Sequence, residues 1–272
     1  MPELARKYLR NEKMPFVWCP GCGHGIVVRA ILGAVDKAGL AKEKTVVVAG
    51  IGCSGRAAGY LDFCTVHALH GRAIPFATGI KLANPELSVI VISGDGDLAA
   101  IGGNHFIHAA RRNIDLTVIC FNNNIYGMTG GQYSPTTPRG SLASTAPYGL
   151  SERSFDLCRL AEAAGATYVA RGSAYQSRML ANYMLSALEN QGFSFVEAIS
   201  QCPVYFGRKN KLGGPLDMLE WQKEHSIPVR KAESVPEEEL AEKFTVGEFY
   251  KKPAPEYGAE YRKLLELRRK EE

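Results

Sequence analysis

Two sets of residues in this 272-residue chain have types and spacings that can do chemistry. The first is Gly94-Asp95-Gly96, separated by residues 97–121 from Asn122-Asn123-Asn124-Ile125. Glycines at a strand end let the backbone come close to a phosphate, and a following helix offers its N-terminus to the negative charge. Asp95 and Asn123 side chains with a main-chain carbonyl make an oxygen set of the kind Mg²⁺ takes when it shares its shell with phosphate. Gly-Asp-Gly alone is ordinary turn chemistry; the asparagine run one helix and one strand later is what makes it a metal-site candidate. The second set is cysteine. Cys19-Pro20-Gly21-Cys22 puts two thiols on one tight turn, Cys53 lies in the glycine-rich run 50–55, and Cys202 precedes Pro203. A lone Cys-x-x-Cys is equally a metal pair, a redox dithiol or chance. Four converging thiolates make a tetrahedral zinc site or an iron–sulfur cluster, and this spacing does not choose between them.

The elements that must position these groups read as a parallel α/β sheet covered by helices on both faces. Thr45–Ala49, 89–93, 116–121, 167–170 and Ser194–Ile199 are short β-branched or apolar runs without polar alternation, as strands buried on both faces require. Between them, 26–38, 72–83, 98–112, 155–164 and 175–190 carry apolar residues at helical spacing. Strand ends then face one edge, where Asp95, Asn123, Cys53 and Cys202 can meet. Three stretches follow from this pattern: an N-terminal segment carrying the first cysteine pair (1–25), the α/β domain (26–205), and a charged C-terminal extension (206–272). The extension reads as an extended tail, broken by Pro236, Pro253 and Pro255, with a terminal helix near 261–270. It can wrap a partner or simply be a solvated end.

Composition narrows the class. Hydrophobic residues are 46% of the chain, which excludes general disorder, and the net charge of +4 is too weak a basic balance to point to nucleic acid. No apolar run reaches bilayer length and no apolar leader opens the chain, so a cytoplasmic location without a membrane role is expected. Seven cysteines argue against a disulfide framework in such a chain. Cys120 and Cys158 fall inside a strand and a helix and read as small core residues; Cys64 is ambiguous.

The Gly-Asp-Gly and Asn-Asn pattern resembles the signature of thiamine-diphosphate enzymes. Trp18-Cys19-Pro20-Gly21-Cys22-Gly23-His24, Gly50-Ile51-Gly52-Cys53-Ser54-Gly55-Arg56, His70-Gly71-Arg72-Ala73 and Thr129-Gly130-Gly131-Gln132 look like the β subunits of 2-oxoacid:ferredoxin oxidoreductases. The match runs in order from about Phe16 to Pro203. That resemblance implies a thiamine-diphosphate-binding fold, with Mg²⁺ on Asp95, Asn123 and Ile125, and a 4Fe–4S cluster on Cys19, Cys22, Cys53 and Cys202. It places the thiamine diphosphate against Ile51, Gly52, Cys53, Ser54, Gly94, Gly96, Asp97, Gly127, Met128 and Thr129, with His70 as the catalytic candidate. Arg56 is close enough to Cys53 to tune the cluster's field, and His24 is expected to pack behind the thiolates. His105 and His108, three apart on a helix, are expected to pack rather than bind metal.

The implied reaction is the oxidative decarboxylation of a 2-oxoacid with coenzyme A to an acyl-CoA, CO₂ and reduced ferredoxin. Thiamine is the electron sink and the cluster an oxygen-sensitive outlet for single electrons. In the family the carboxylate that activates thiamine comes from the partner α subunit, so this chain alone is expected to be inactive; small ferredoxin-like subunits can join them. Residues 134–138 and 205–211 look most like the 2-oxoglutarate branch; pyruvate- or branched-chain-specific members are the alternatives. Arg208, Lys209 and Lys211 suit coenzyme A phosphates, acidic ferredoxin or plain solvent. A non-redox thiamine decarboxylase would need Asp95 and Asn123 without placed cysteines. A zinc-stabilised interaction protein would need the cysteines alone.

Overall fold

Strict alternation of side chains across the strands builds a two-faced sheet with a hydrophobic layer on each side. The computed structural model describes residues 2–232, 234–240 and 242–271. Its strands are β1 (Thr45–Ala49), β2 (Cys64–His67), β3 (Ser88–Gly94), β4 (Thr117–Asn122), β5 (Ile125–Tyr126), β6 (Gln132–Tyr133), β7 (Tyr168–Ser173), β8 (Ser194–Ile199), β9 (Ser226–Pro228) and β10 (Phe244–Lys251). Eight of them form one sheet in the order β2-β1-β3-β4-β8-β7-β10-β9, and β5 and β6 pair separately. All neighbours in the large sheet run parallel except β10 and β7.

The helices are α1 (Pro2–Tyr8), α2 (His24–Lys37), α3 (Ala57–Tyr60), α4 (Ala73–Ala83), α5 (Gly103–Arg111), α6 (Leu157–Ala164), α7 (Ser177–Glu189), α8 (Pro215–His225), α9 (Val229–Ala232), α10 (Glu237–Leu240) and α11 (Tyr257–Glu271). Val47, Ala49, Ile90, Ile92, Ile119, Phe121, Val196 and Ala198 face one way and pack with α2, α7, Tyr8 and α3. Their sequence neighbours Val46, Val48, Val89, Val91, Val118, Cys120 and Phe195 face the other way, against α4, α5 and α6. That period of two is the pleat itself, and each fully buried Val or Ile contributes about 1.5–3 kcal/mol of burial. A third cluster, with Ile125, Leu150, Cys202, Phe206 and Met218, lies among the connections beyond the strand ends.

Local chemistry sets several boundaries. The sixth helix starts at 157, not 155, because the Asp156 carboxylate accepts from Cys158 N and Arg159 N and so caps the first turn. It ends at Gly165, whose φ of 102° reverses the chain in a conformation a side chain would strain. The single helix expected over 98–112 is divided: a π-turn over Asp97–Ile101 precedes α5. Such wide turns recur at functional sites, and this one carries Asp97. A second π-turn, Pro203–Gly207, follows Cys202.

The C-terminal extension departs most from its expected form. It contributes β10, which pairs antiparallel with β7 and parallel with β9, before α11 ends the chain. The open edge of β7 supplies the hydrogen-bonding partner that makes a strand of this segment. The first residues likewise form α1, and Tyr8, 2% exposed, joins the core. Among the described residues no helix is long and apolar enough to cross a membrane.

Candidate active site

The carboxyl ends of β1, β2, β3, β4 and β8 share one edge of the sheet. β1 lies between β2 and β3, so the chain leaves it to one side and returns on the other. That reversal opens a crevice, the place where parallel sheets hold ligands. A cleft of about 240 Å³ occupies it. Every residue named above against thiamine diphosphate or Mg²⁺ lines this cleft: Ile51, Gly52, Cys53, Ser54, His70, Gly94, Asp95, Gly96, Asp97, Asn123, Ile125, Gly127, Met128 and Thr129. His24, Phe121 and Tyr126 also line it and were not assigned to it from sequence.

Asp95 is 2% exposed, and burial pushes its carboxyl up to about 6. Its Oδ2 accepts from Ser134 Oγ at 2.5 Å and Thr136 Oγ1 at 2.7 Å, while Asn123 N–H points at Oδ1 from 3.4 Å. Asn123 Oδ1 in turn accepts from Ile125 N at 3.3 Å, which folds the asparagine run into a tight turn over the carboxylate. Among the described residues no cation side chain bonds Asp95, so a buried carboxylate is left with hydroxyl and amide donors. That donor set fits a divalent cation. Ser134 and Thr136 had been read only for their local sequence; nothing in spacing shows that they reach back across some 40 residues to Asp95.

The four cysteines come from three separate places. Cys22 N–H donates to Cys19 O at 3.0 Å, closing the first turn, and Gly23 N–H donates to Gln201 O at 3.1 Å, tying that turn to the end of β8 beside Cys202. Gln201 Nε2 adds a bond to Gly21 O at 3.1 Å. Trp18 Nε1 donates to Cys53 O at 2.7 Å and so joins the turn after β1. Cys53 and Cys202 flank Gly127: a β-carbon there would stand 3.6 and 3.7 Å from their sulfurs. Burial pushes the Cys22 thiol up to about 12 and the Cys53 thiol to about 11, each raised further by the other cysteines nearby and, for Cys53, opposed by Arg56. Thiols in such surroundings would ionise only beside a positive charge, which a metal centre would supply.

The remaining candidates separate cleanly. Asp97 lines the cleft, but its carboxylate is wholly engaged by protein donors, so its side chain is not free for a diphosphate. His24 is buried, bonds Ser200 Oγ at 3.0 Å, and packs edge-on to Trp18 and Phe121; burial holds it down to about 4, hence neutral. His105 accepts from Arg72, and His108 is exposed beside Arg111, so the two do not share a metal. Cys120 and Cys158 are fully buried and Cys64 is exposed on the edge strand β2.

Among the described residues, the one group of three metal-ligating side chains with donor atoms within 4.8 Å of one another is Asp156, Cys158 and Glu197. Arg171 already neutralises it, bonding Glu197 and Asp156 at 2.6 Å each. A larger hollow of about 1240 Å³ opens past these residues toward Trp221 and Lys243.

Residues 24–198 match the family model of the thiamine pyrophosphate enzyme C-terminal, TPP-binding domain. A 2-oxoglutarate synthase subunit KorB of Methanocaldococcus jannaschii is 53% identical over 262 residues, covering 96% of this chain and 97% of that relative. The chain belongs to the 2-oxoacid:ferredoxin oxidoreductase β-subunit family. Another member, the β subunit of 2-oxoacid:ferredoxin oxidoreductase 2 of Aeropyrum pernix, is 44% identical over 203 residues, 74% of this chain and 66% of its own. The solved 2-oxoglutarate:ferredoxin oxidoreductase of Magnetococcus marinus, with 2-oxoglutarate, coenzyme A and succinyl-CoA bound, superposes with a TM-score of 0.85. It is 34% identical, and the superposition covers 97% of this chain and 90% of that one.

Proposed function

We propose that this chain is the catalytic β subunit of a 2-oxoglutarate:ferredoxin oxidoreductase, working in the cytoplasm with an α-type partner. The reaction is oxidative decarboxylation of the 2-oxoacid with coenzyme A to succinyl-CoA, CO₂ and reduced ferredoxin. One observation carries the reading: the ends of β1, β3 and β4 bring a glycine turn, a buried oxygen-ligand set and Cys53 to one cleft, and Cys19, Cys22 and Cys202 lie near Cys53. Relatives named for 2-oxoglutarate support the choice of acid.

Asp95, Asn123 and the carbonyl of Ile125 would hold Mg²⁺, with Ser134 and Thr136 orienting Asp95 from behind. The Gly94-Asp95-Gly96 turn would present its backbone to a diphosphate, with the Tyr126 ring packed on Gly96 and its hydroxyl donating to the Gly96 carbonyl at 2.9 Å. Thiamine diphosphate, once bound, supplies the electron sink that lets the carboxylate of the 2-oxoacid leave. Cys19, Cys22, Cys53 and Cys202 would carry the 4Fe–4S cluster. All seven cysteines are unpaired, the state a reducing cytoplasm maintains.

The cleft is smaller than the roughly 300–1,000 Å³ of a complete ligand pocket. Ile51 and Met128 on its wall, with Leu69 and Ile101 close by in sequence to its lining residues, are exposed apolar side chains. A partner subunit that closes the pocket would cover them and supply the carboxylate that activates thiamine.

The test is anaerobic co-purification with its α-type partner subunit, followed by viologen or ferredoxin reduction with coenzyme A and a panel of 2-oxoacids. Preference for 2-oxoglutarate is expected, with no reduction by the isolated chain. Preference for pyruvate or a branched acid overturns the substrate assignment but keeps the reaction class. Thiamine binding without reduction of any acceptor, in a colourless protein lacking iron and acid-labile sulfide, overturns the redox function.

A further inference from the structure

One buried carboxylate gathers donors from three strand ends. Asp97, with a side chain only 3% exposed, projects from the π-turn that follows β3. Its Oδ1 accepts from His70 Nδ1 at 2.6 Å, from Gly71 N at 2.8 Å and from Ile51 N at 3.2 Å, and its Oδ2 accepts from Ser93 Oγ at 2.5 Å. Ile51 follows β1, His70 and Gly71 follow β2, and Ser93 ends β3, so the carboxylate ties together both sides of the chain reversal. The fit is close: a β-carbon at Gly50 would overlap Asp97 Oδ2, which makes a side chain there incompatible with the carboxylate.

Oδ1 already accepts two backbone N–H groups, so it is the acceptor toward His70 as well. The hydrogen in the His70 contact therefore sits on Nδ1, which leaves Nε2 for the cleft. Among the described residues Nε2 has no hydrogen-bond partner, and the His70 side chain is 40% exposed on the cleft wall. The Tyr126 ring stands edge-on to the imidazole at 6.0 Å and limits its swing.

We propose that Asp97 is a positioning residue that holds His70 in the Nδ1–H tautomer, so that Nε2 is the atom presented to the 2-oxoacid in the cleft. This rests on reading the cleft as the thiamine site. In this arrangement Nε2 takes a proton from a hydroxyl oxygen of the reacting 2-oxoacid and hands the same proton back, while Asp97 acts through the imidazole rather than on the substrate. Two backbone amides on the same oxygen fix the carboxylate itself. In Asp97→Asn the amide oxygen keeps all three Oδ1 contacts only if its NH₂ faces Ser93 Oγ, which can turn to accept. The near-isosteric variant is thus expected to retain the tautomer, whereas Asp97→Ala releases it.

The experiment uses the complete complex with the β chain carrying ring-¹⁵N histidine, the His70 signals being identified by their loss in His70→Gln. Wild type and Asp97→Asn are expected to show Nδ1–H with unprotonated Nε2, and Asp97→Ala a mixture of tautomers. In parallel, kcat is measured in a double-mutant cycle. His70→Gln and Asp97→Ala alone should each lower kcat by about 10²-fold or more, Asp97→Asn by less than tenfold, and the Asp97→Ala/His70→Gln double variant by no more than His70→Gln alone. Nε2–H in the wild type, or losses that multiply in the double variant, overturns the proposal. If Asp97→Ala fails to fold, Asp97→Asn combined with His70→Gln takes its place in the cycle. A wild-type complex that neither binds thiamine diphosphate nor turns over defeats the cleft assignment instead; the tautomer measurement still decides the Asp97–His70 relation.

Discussion

Replacing Arg171 by methionine removes the cation from the most heavily bonded ion-pair cluster in the fold. Arg171 Nε donates to Glu197 Oε2 at 2.6 Å, Nη2 to Asp156 Oδ1 at 2.6 Å, and Nη1 to Thr245 O at 3.3 Å. One side chain thus joins β7 to β8, to the cap of α6 and to β10. The cluster continues toward the cleft. Asn122 Nδ2 donates to Glu197 Oε1 at 2.6 Å, and Thr136 Oγ1 stands between Asn122 Oδ1 at 3.0 Å and Asp95 Oδ2 at 2.7 Å. Arg171 and Glu197 have side chains 8% and 2% exposed, so little solvent reaches the pairing.

Removing one partner of such a buried pair costs about 3–5 kcal/mol, because the remaining charge is left uncompensated. At roughly 2–4 °C per kcal/mol for a domain of this size, Tm should fall by roughly 6–20 °C. Urea and thermal unfolding of wild type, Arg171→Met, Glu197→Leu and the double variant form the assay. The double variant should be more stable than Arg171→Met, because both charges are gone together. A loss below about 1 kcal/mol in Arg171→Met, or simple additivity in the cycle, would refute the reasoning that the pair is effectively desolvated.

Other outcomes follow from the cleft. Because burial raises the Asp95 carboxyl to about 6, above its ordinary value, a proton competes with the cation below that pH. Mg²⁺-supported thiamine diphosphate binding, followed by calorimetry, should therefore weaken up to about tenfold per unit as pH falls below 6 and level off above it; a flat profile from pH 5 to 7.5 contradicts this. Cys53→Ser and Cys202→Ser should lower iron and acid-labile sulfide and bleach the visible absorbance, while Cys64→Ser, on an exposed edge strand, should leave both metal analyses at wild-type values. Gly165→Ala forces a side chain into the φ of 102° at the end of α6 and should cost about 1 kcal/mol in denaturant unfolding, with no change in iron content.

Much of the framework is local and so was legible in the chain. The strands β1, β3 and β4 are too apolar over most of their length for anything but a sheet covered on both faces, and a parallel sheet places their ends together with that of β8. Gly94-Asp95-Gly96, the asparagine run and the four cysteines could be assigned to one edge from that alone, since each sits immediately beyond a strand or in a turn. The capped start of α6 and its glycine stop are likewise written in adjacent residues.

Tertiary structure decided whatever depends on groups distant in sequence. β10 carries a strand's pairing only because β7 presents an open edge to it; its own residues lie in a charged stretch without a distinctive pattern. The division of the expected 98–112 helix by a π-turn, the grip of Asp97 on three strand ends, and the reach of Ser134 and Thr136 to Asp95 are all contacts between segments. Residue type and periodicity report how a segment divides between core and solvent, because burial is a property each side chain carries along its own strand or helix. Which donor satisfies a given buried carboxylate is settled only when packing brings loops together, and for that reason Asp97 read as one more cofactor residue until its four partners could be seen.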